Sequence, residues 1–249
     1  MDLAFKDAFL TRWTKYFGTA ELPITFSYVD DPGAAELAPI PTAPHECVLT
    51  PLAQARHGQT IVFDVSRLGC MGARRYFGFS QELSPTFDYF LSCGIPGKVE
   101  GERYKKSPEL VREYVKRGRV FEAPKPYLSC NRWDGLTETD HPDVVAFFAQ
   151  PDVLSGLFTL ANFDEPDPDG VFCPFCAGCG ALVQYPFLEQ SAAHPRAVLG
   201  NFDVSARPYV PSQTLSFSVP MKKFERMVAN MDESFLITPS WQKVRRRIV

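Results

Sequence analysis

Apolar positions fall at helical spacing over the first segment of the chain, where Leu3, Phe5, Phe9, Leu10, Trp13 and Phe17 recur and Gly18 follows. That spacing predicts a helix from residue 3 to 17, closed by the glycine as a C-terminal cap. Residues 22–29 (LPITFSYV) then read as a strand, and the proline- and alanine-rich stretch 32–44 as a surface loop. Helical spacing returns over 48–58, 70–77, 85–93 and 107–117, with a strand at 59–65 (QTIVFDV) between the first two.

Strand–helix units follow. Residues 143–148 (DVVAFF) form an apolar run of the kind found in buried strands, and they lead through Gln150-Pro151 into a helical pattern over 153–162. Val171-Phe172 with a helix over 181–189 makes a second unit. Residues 214–219 (TLSFSV) with a helix over 221–231 make a third, with Pro220 placed at the first helical turn, where its missing N–H is harmless. This alternation predicts an α/β fold, a mixed β-sheet with flanking helices. The 22 prolines break the chain into short elements and exclude long helical repeats. The expected organisation is a single domain over residues 1–249, with 123–142 the place where two subdomains would divide.

Composition narrows the function classes. With 249 residues, 45% of them hydrophobic, and a mean hydropathy of -0.14, the chain has material for a sizeable core in an ordinary globular protein. No apolar run reaches the roughly 18 residues of a membrane span. The start of the chain, Met1 to Asp7, is charged and amphipathic rather than signal-like, so the expected location is cytoplasmic. A formal net charge of -3 gives no bulk attraction to nucleic acid or to an anionic membrane. In a reducing compartment, seven cysteines argue against a disulfide framework and for metal binding, redox work or burial.

Three of those cysteines stand in seven residues, Cys173-Pro174-Phe175-Cys176-Ala177-Gly178-Cys179. Thiolates at this spacing can turn toward one centre, which suits an iron-sulfur cluster, a zinc ion or a reversible disulfide. A four-iron cluster takes four thiolates, so Cys47 or Cys70 would complete the set. An alternative set joins Cys47, Cys70 and Cys179 to Cys173 or Cys176, and an open iron would take Asp203 or a histidine. The C-x3-C-x2-C spacing of radical adenosylmethionine chemistry is absent. Zinc would need four ligands, and with no second C-x2-C pair it would recruit His45, His57 or His194. Cys173 and Cys176 also resemble the dithiol of glutaredoxin-like enzymes, in which a helix N-terminus lowers the pKa of the first thiol. Against all of these stands simple packing, expected for Cys93 and Cys130 in apolar helix-like and strand-like settings.

The remaining polar groupings carry less. Glu100, Glu102, Arg103, Lys105 and Lys106 make a mixed-charge loop, read as a solvated face. Asp203 and Arg207 flank Ser205 as a turn or as a buried pair. Arg245, Arg246 and Arg247 complement a helix C-terminus rather than bind nucleic acid. No phosphate-binding glycine loop and no Ser-His-Asp arrangement is recognisable.

Taken in order, several short pieces resemble one family. They are Cys47 with Ala55-Arg56-x-Gly58, Gly69-Cys70-x-Gly72-Ala73 with Gly78, and Gly97 to Lys106 (GKVEGERYKK). Further along come Pro142-Asp143-Val144-Val145, Gly178-Cys179, Asp203-x-Ser205-x-Arg207 and Phe217-Ser218-Val219-Pro220. Together they resemble the bacterial and archaeal proteins grouped as domain of unknown function 169, over most of the chain. The resemblance implies no established reaction. It implies that Cys47, Cys70 and Cys179 match the family's cysteine positions. Some members also carry Gly-Cys-x-Gly-Cys-Arg where this chain has residues 200–207 without cysteine, a departure that removes possible ligands. The sequence therefore points to a cysteine-built site, with an iron-sulfur cluster as the first expectation and an unidentified small molecule or redox partner. It leaves the reaction and the oligomeric state open.

Overall fold

The computed structural model describes residues 1–33, 35–42 and 46–248, and of Glu36 only the backbone. His45, one of the expected zinc ligands, lies outside the described residues. The helices are α1 (Leu3–Phe17), α2 (Leu49–Arg56), α3 (Met71–Tyr76), α4 (Phe87–Phe90), α5 (Pro108–Arg117), α6 (Pro151–Ala161), α7 (Tyr185–Glu189), α8 (Met221–Asn230) and α9 (Pro239–Arg245). The strands are β1 (Ile24–Val29), β2 (Glu36–Leu37), β3 (Ile61–Phe63), β4 (Tyr127–Arg132), β5 (Val144–Ala149), β6 (Val171–Phe172), β7 (Ala197–Gly200) and β8 (Leu215–Pro220).

Local chemistry explains the helix ends. The Asp2 side chain accepts the Ala4 N–H at the start of α1, and Gly18, at φ 65°, closes it by donating to the Thr14 carbonyl. Ser107 caps α5 by accepting from Leu110, Pro108 opens it, and Lys116 and Arg117 face the negative end of its dipole. Replacing Ser107 by alanine is expected to cost about 1 kcal/mol in a denaturant titration. An unchanged midpoint would mean that α5 is held by its packing alone.

The strands form one mixed α/β sheet in the order β2-β3-β4-β1-β5-β8-β7-β6. Both parallel pairs lie at the edges, β2 with β3 and β6 with β7, and every pairing between them is antiparallel. Alternation along β5 then divides the core. Val145, Phe147 and Ala149 face a layer of Phe9, Trp13, Phe17, Leu157, Phe224 and Trp241 from α1, α6, α8 and α9. Val144, Ala146 and Phe148 face the opposite side, with Leu49, Leu52 and Ala55 of α2 and Ala73 of α3. The first layer is an aromatic interlock, with Trp13 stacked on Phe17 at 4.3 Å and Phe9 against Trp133 and Phe224 at 5.0 Å each. The second has its own aromatics, with Phe77 against both Phe26 and Phe63, and Cys47, Cys70, Cys130 and Cys179 lie there.

Several sequence expectations change. The 32–44 stretch contains β2, which pairs with Val62 and Ile61 of β3. Pro220 is not inside the helix: it ends β8, paired with Val144, and stands in extended conformation as the residue before α8. The 181–189 helix divides into a five-residue π turn, Gly180–Gln184, and α7. Cys93 is exposed rather than core, because α4 stops at Phe90 and Gly94, at φ 75°, turns the chain so that the thiol faces out. Cys130 is fully buried on the inner face of β4, as expected. Among the described residues no helix is long and apolar enough to cross a membrane.

Candidate functional site

The cysteine site is assembled at the starts of helices on the face of the sheet that carries α2 and α3. Cys47 immediately precedes the first turn of α2, and its carbonyl accepts the Thr50 N–H. Cys70 is the residue before α3, with its carbonyl accepting from Arg74. Cys179 leads into the π turn ahead of α7. All three belong to or pack against one apolar cluster with Ala73, Leu182 and Ala206.

The seating of the π turn fixes Cys179. On the face where it lies, β7 and β8 offer Gly200, Ser216 and Ser218, whose register places Gly200 opposite Ser216 and Val198 opposite Ser218. The helix descends so far that a Cβ on Gly200 would meet the Cβ of Ala181 at 2.2 Å. The chain leaving β7 then crosses Gly178, where a Cβ would lie 2.7 Å from Asn201 Oδ1. One step further, Asp203 Oδ2 accepts the Gly178 N–H at 3.3 Å, while its Oδ1 accepts from the Ser205 N–H and hydroxyl.

These placements bring Cys47, Cys70, Cys176 and Asp203 within electrostatic reach of Cys179. Burial pushes the Cys179 thiol well above its ordinary value, and neighbouring Cys70, Cys47, Cys176 and Asp203 push it the same way. Cys47 is also raised, first by burial and then by Cys70 and Asp203, while the Leu49 amide at its sulfur pulls in the opposite direction. Cys176 is pushed up to about 12, by burial and by Cys173 and Asp203. Cys173 is exposed, raised by partial burial, and acts only on Cys176. The two outer cysteines of the seven-residue segment thus have different surroundings: Cys179 faces the distant thiols and Cys173 does not. All seven cysteines are free thiols.

The expected zinc ligands fare differently. His57 is exposed at the end of α2, and His194 faces Glu165 at 3.8 Å rather than the thiols. Among the described residues no three His, Cys, Asp or Glu side chains stand around one point as a single metal ion requires. The glutaredoxin-like expectation turns on the pKa of the dithiol. A nucleophilic dithiol needs a depressed pKa, whereas burial raises both Cys173 and Cys176. The side chains of Asp203 and Arg207 do not pair: the Arg207 N–H donates to the Asp203 carbonyl in a turn, as the alternative expectation had it, while its guanidinium donates to the carbonyls of Ser212 and Thr214.

Three aromatic residues complete the surroundings. The Tyr114 hydroxyl of α5 donates to the Phe175 carbonyl at 2.7 Å, and Lys105 lies over the Phe175 ring at 3.9 Å, so the 173–179 segment is pinned from outside. Tyr76, at the end of α3, is raised by burial and by Tyr114, Cys176 and Cys179. Tyr104 accepts the Ser205 N–H at 3.0 Å. The loop read from sequence as a solvated charged face therefore braces both sides of the site. Tyr76, Tyr114 and Asn201 carry no sequence signal of this role, since lone tyrosines and asparagines fit any surface or turn.

No curated protein and no solved structure matches the chain. A family model described as DUF169, uncharacterised ArCR, matches residues 14–230, a span that contains Cys47, Cys70, Cys179 and every strand of the sheet. The chain belongs to the DUF169 family.

Proposed function

We propose that the protein is a carrier of an iron-sulfur cluster, held by Cys47, Cys70, Cys176 and Cys179 with Asp203 beside them. The observation that carries this reading is the placement of Cys47, Cys70 and Cys176, drawn from segments about a hundred residues apart, around the buried Cys179. The donor set favours a cluster over one ion. Soft sulfur ligands suit iron-sulfur centres, and a cluster spreads its ligands over several iron atoms, whereas zinc gathers four around a point. Of the two ligand sets compatible with the sequence, the geometry favours Cys176 over the exposed Cys173.

Such a cluster would supply one-electron transfer, or binding of an electron-rich molecule at iron. The chain's own residues act around it. Burial excludes water, the Leu49 and Ala181 amides point toward the sulfurs of Cys47 and Cys176, and Tyr114 and Lys105 hold the outer segment closed. The test is the iron, zinc and acid-labile sulfide content of the full chain purified without oxygen, read beside its visible spectrum. Iron and sulfide in matching, near-stoichiometric amounts, with a broad visible absorption bleached by dithionite, are the expected result. Zinc without sulfide, or a colourless metal-free protein, would overturn the reading.

A further inference from the structure

A cleft lies between residues 39–51 and the turn that leads into α3. It holds about 280 Å³ of free space, counted out to its mouth, and is partly open to solvent. Pro39, Pro41, Pro51, Val48 and Leu68 give it apolar walls, while Glu46, Arg67 and the Cys47 thiol supply its chemistry. Arg67 is firmly placed. Asp64 Oδ1 accepts the N–H groups of Ser66 and Arg67, which fixes the turn Val65–Arg67, and Arg67 Nη1 donates to the Ala38 carbonyl at 2.8 Å. The Nε of the same guanidinium is buried and has no hydrogen-bond partner. A guanidinium stays charged at any physiological pH, and a buried charged donor left unpaired costs more than a neutral one.

Elsewhere in this chain the corresponding edge of an arginine grips a carboxylate. Arg56 gives Nε and Nη2 to the two oxygens of Glu21 at 2.6 and 2.7 Å, and Arg132 gives the same two atoms to Asp134 at 2.7 Å each. At Arg67, Glu46 lines the same cleft without supplying a partner to Nε. We propose that the cleft binds a small aliphatic monocarboxylate, its oxygens taken by Nε and Nη2 of Arg67 and its alkyl end against the proline walls, beside Cys47. The planar fork of a guanidinium matches a carboxylate in charge and spacing. Apolar walls with one polar anchor suit a short alkyl chain. Glu46 restricts the ligand to a single charge, because a second carboxylate would face its own like charge there. The site is complete in the metal-free chain and holds whether or not a cluster binds.

The test is calorimetric titration of the metal-free full chain, kept reduced, with propionate and with propionamide, its neutral counterpart of nearly the same shape. Wild type is expected to bind propionate saturably and propionamide at least tenfold more weakly, since the amide lacks the charge that the arginine fork recognises. Arg67→Gln should weaken propionate at least tenfold, and Glu46→Gln should tighten it about twofold or more by removing the like charge. Propionate should also raise the wild-type melting temperature above that in equal sodium chloride and slow the alkylation of Cys47, as ligand binding to the folded state requires. Equal binding of propionate and propionamide would overturn the inference, as would no saturable binding below about 100 mM. A folded Arg67→Gln chain that binds as wild type does would overturn it as well. Should Arg67→Gln fail to fold through loss of the Ala38 contact, the comparison of the two ligands on wild type decides the question by itself. A chain that takes up no iron and sulfide would reject the cluster reading and leave this site untouched.

Discussion

Cys179→Ser is expected to lower bound iron and sulfide more than tenfold in anaerobically purified protein while leaving the fold intact. The magnitude follows from position. Cys179 is 8% exposed, the most buried thiol of the site, and Cys47, Cys70, Cys176 and Asp203 all lie close enough to act on it. Removing a central thiolate takes away a first ligand, and the serine hydroxyl is a poor substitute for soft iron coordination. The fold should survive, because serine is accepted at the start of a helical segment and nearly preserves the side-chain volume. Cys93→Ser is the control, since that thiol is exposed and faces Gly94 rather than the site. Retention of wild-type iron by Cys179→Ser would remove this residue from the ligand set, and equal losses in the two variants would make the effect nonspecific.

The second large effect is one of packing. Gly200→Ala is expected to destabilise the protein by about 2–3 kcal/mol in urea titration, although glycine-to-alanine changes within regular structure ordinarily stabilise by roughly 0.5–1 kcal/mol. The reversal has a geometric cause. The added Cβ would lie 2.2 Å from Ala181 Cβ and 2.9 Å from Ser216 Oγ, so the π turn has to lift from the sheet. Cys179 leads directly into that turn. The variant should therefore lose stability and iron retention together, whereas Cys179→Ser should lose iron alone. A Gly200→Ala protein as stable as wild type would mean that the helix is not seated on this strand as described.

How far the fold was legible depended on whether each element obeyed a local rule. The α1 helix was readable to the residue because its apolar stripe, its length and Gly18 agree. The β5 strand stood out because all six of its residues are buried. The β7 strand, by contrast, is only four residues long and follows His194-Pro195-Arg196, so its place beside β8 is a tertiary pairing without a local signature. Cys93 misled for the related reason that apolar neighbours suggest burial, while the turn at Gly94 decides it.

The site was legible unevenly. The C-x2-C-x2-C spacing announced sulfur chemistry, but it weighted Cys173 and Cys179 alike, and only the folded chain separates them. Cys47 and Cys70 became candidates through the count of thiolates a four-iron cluster takes and through family resemblance, since neither sits in a local ligand pattern. Tyr104, Lys105 and Tyr114 were hidden because contacts across about a hundred residues, such as Tyr104 with Ser205, leave no periodic trace. The charged loop was correctly read as exposed, but exposure says nothing of what its stems brace.

The dispersal of the site along the chain has a consequence for biosynthesis. Cys47 and Cys70 leave the ribosome long before Asp203, and at about 5–20 residues per second the interval is roughly seven to thirty seconds. Throughout that time the bed of Gly200, Ser216 and Ser218 does not exist, because β8 is still to be made. The two early thiols consequently wait without their partners, open to oxidants and stray metals. A cluster held as proposed would have to be loaded after translation of β8.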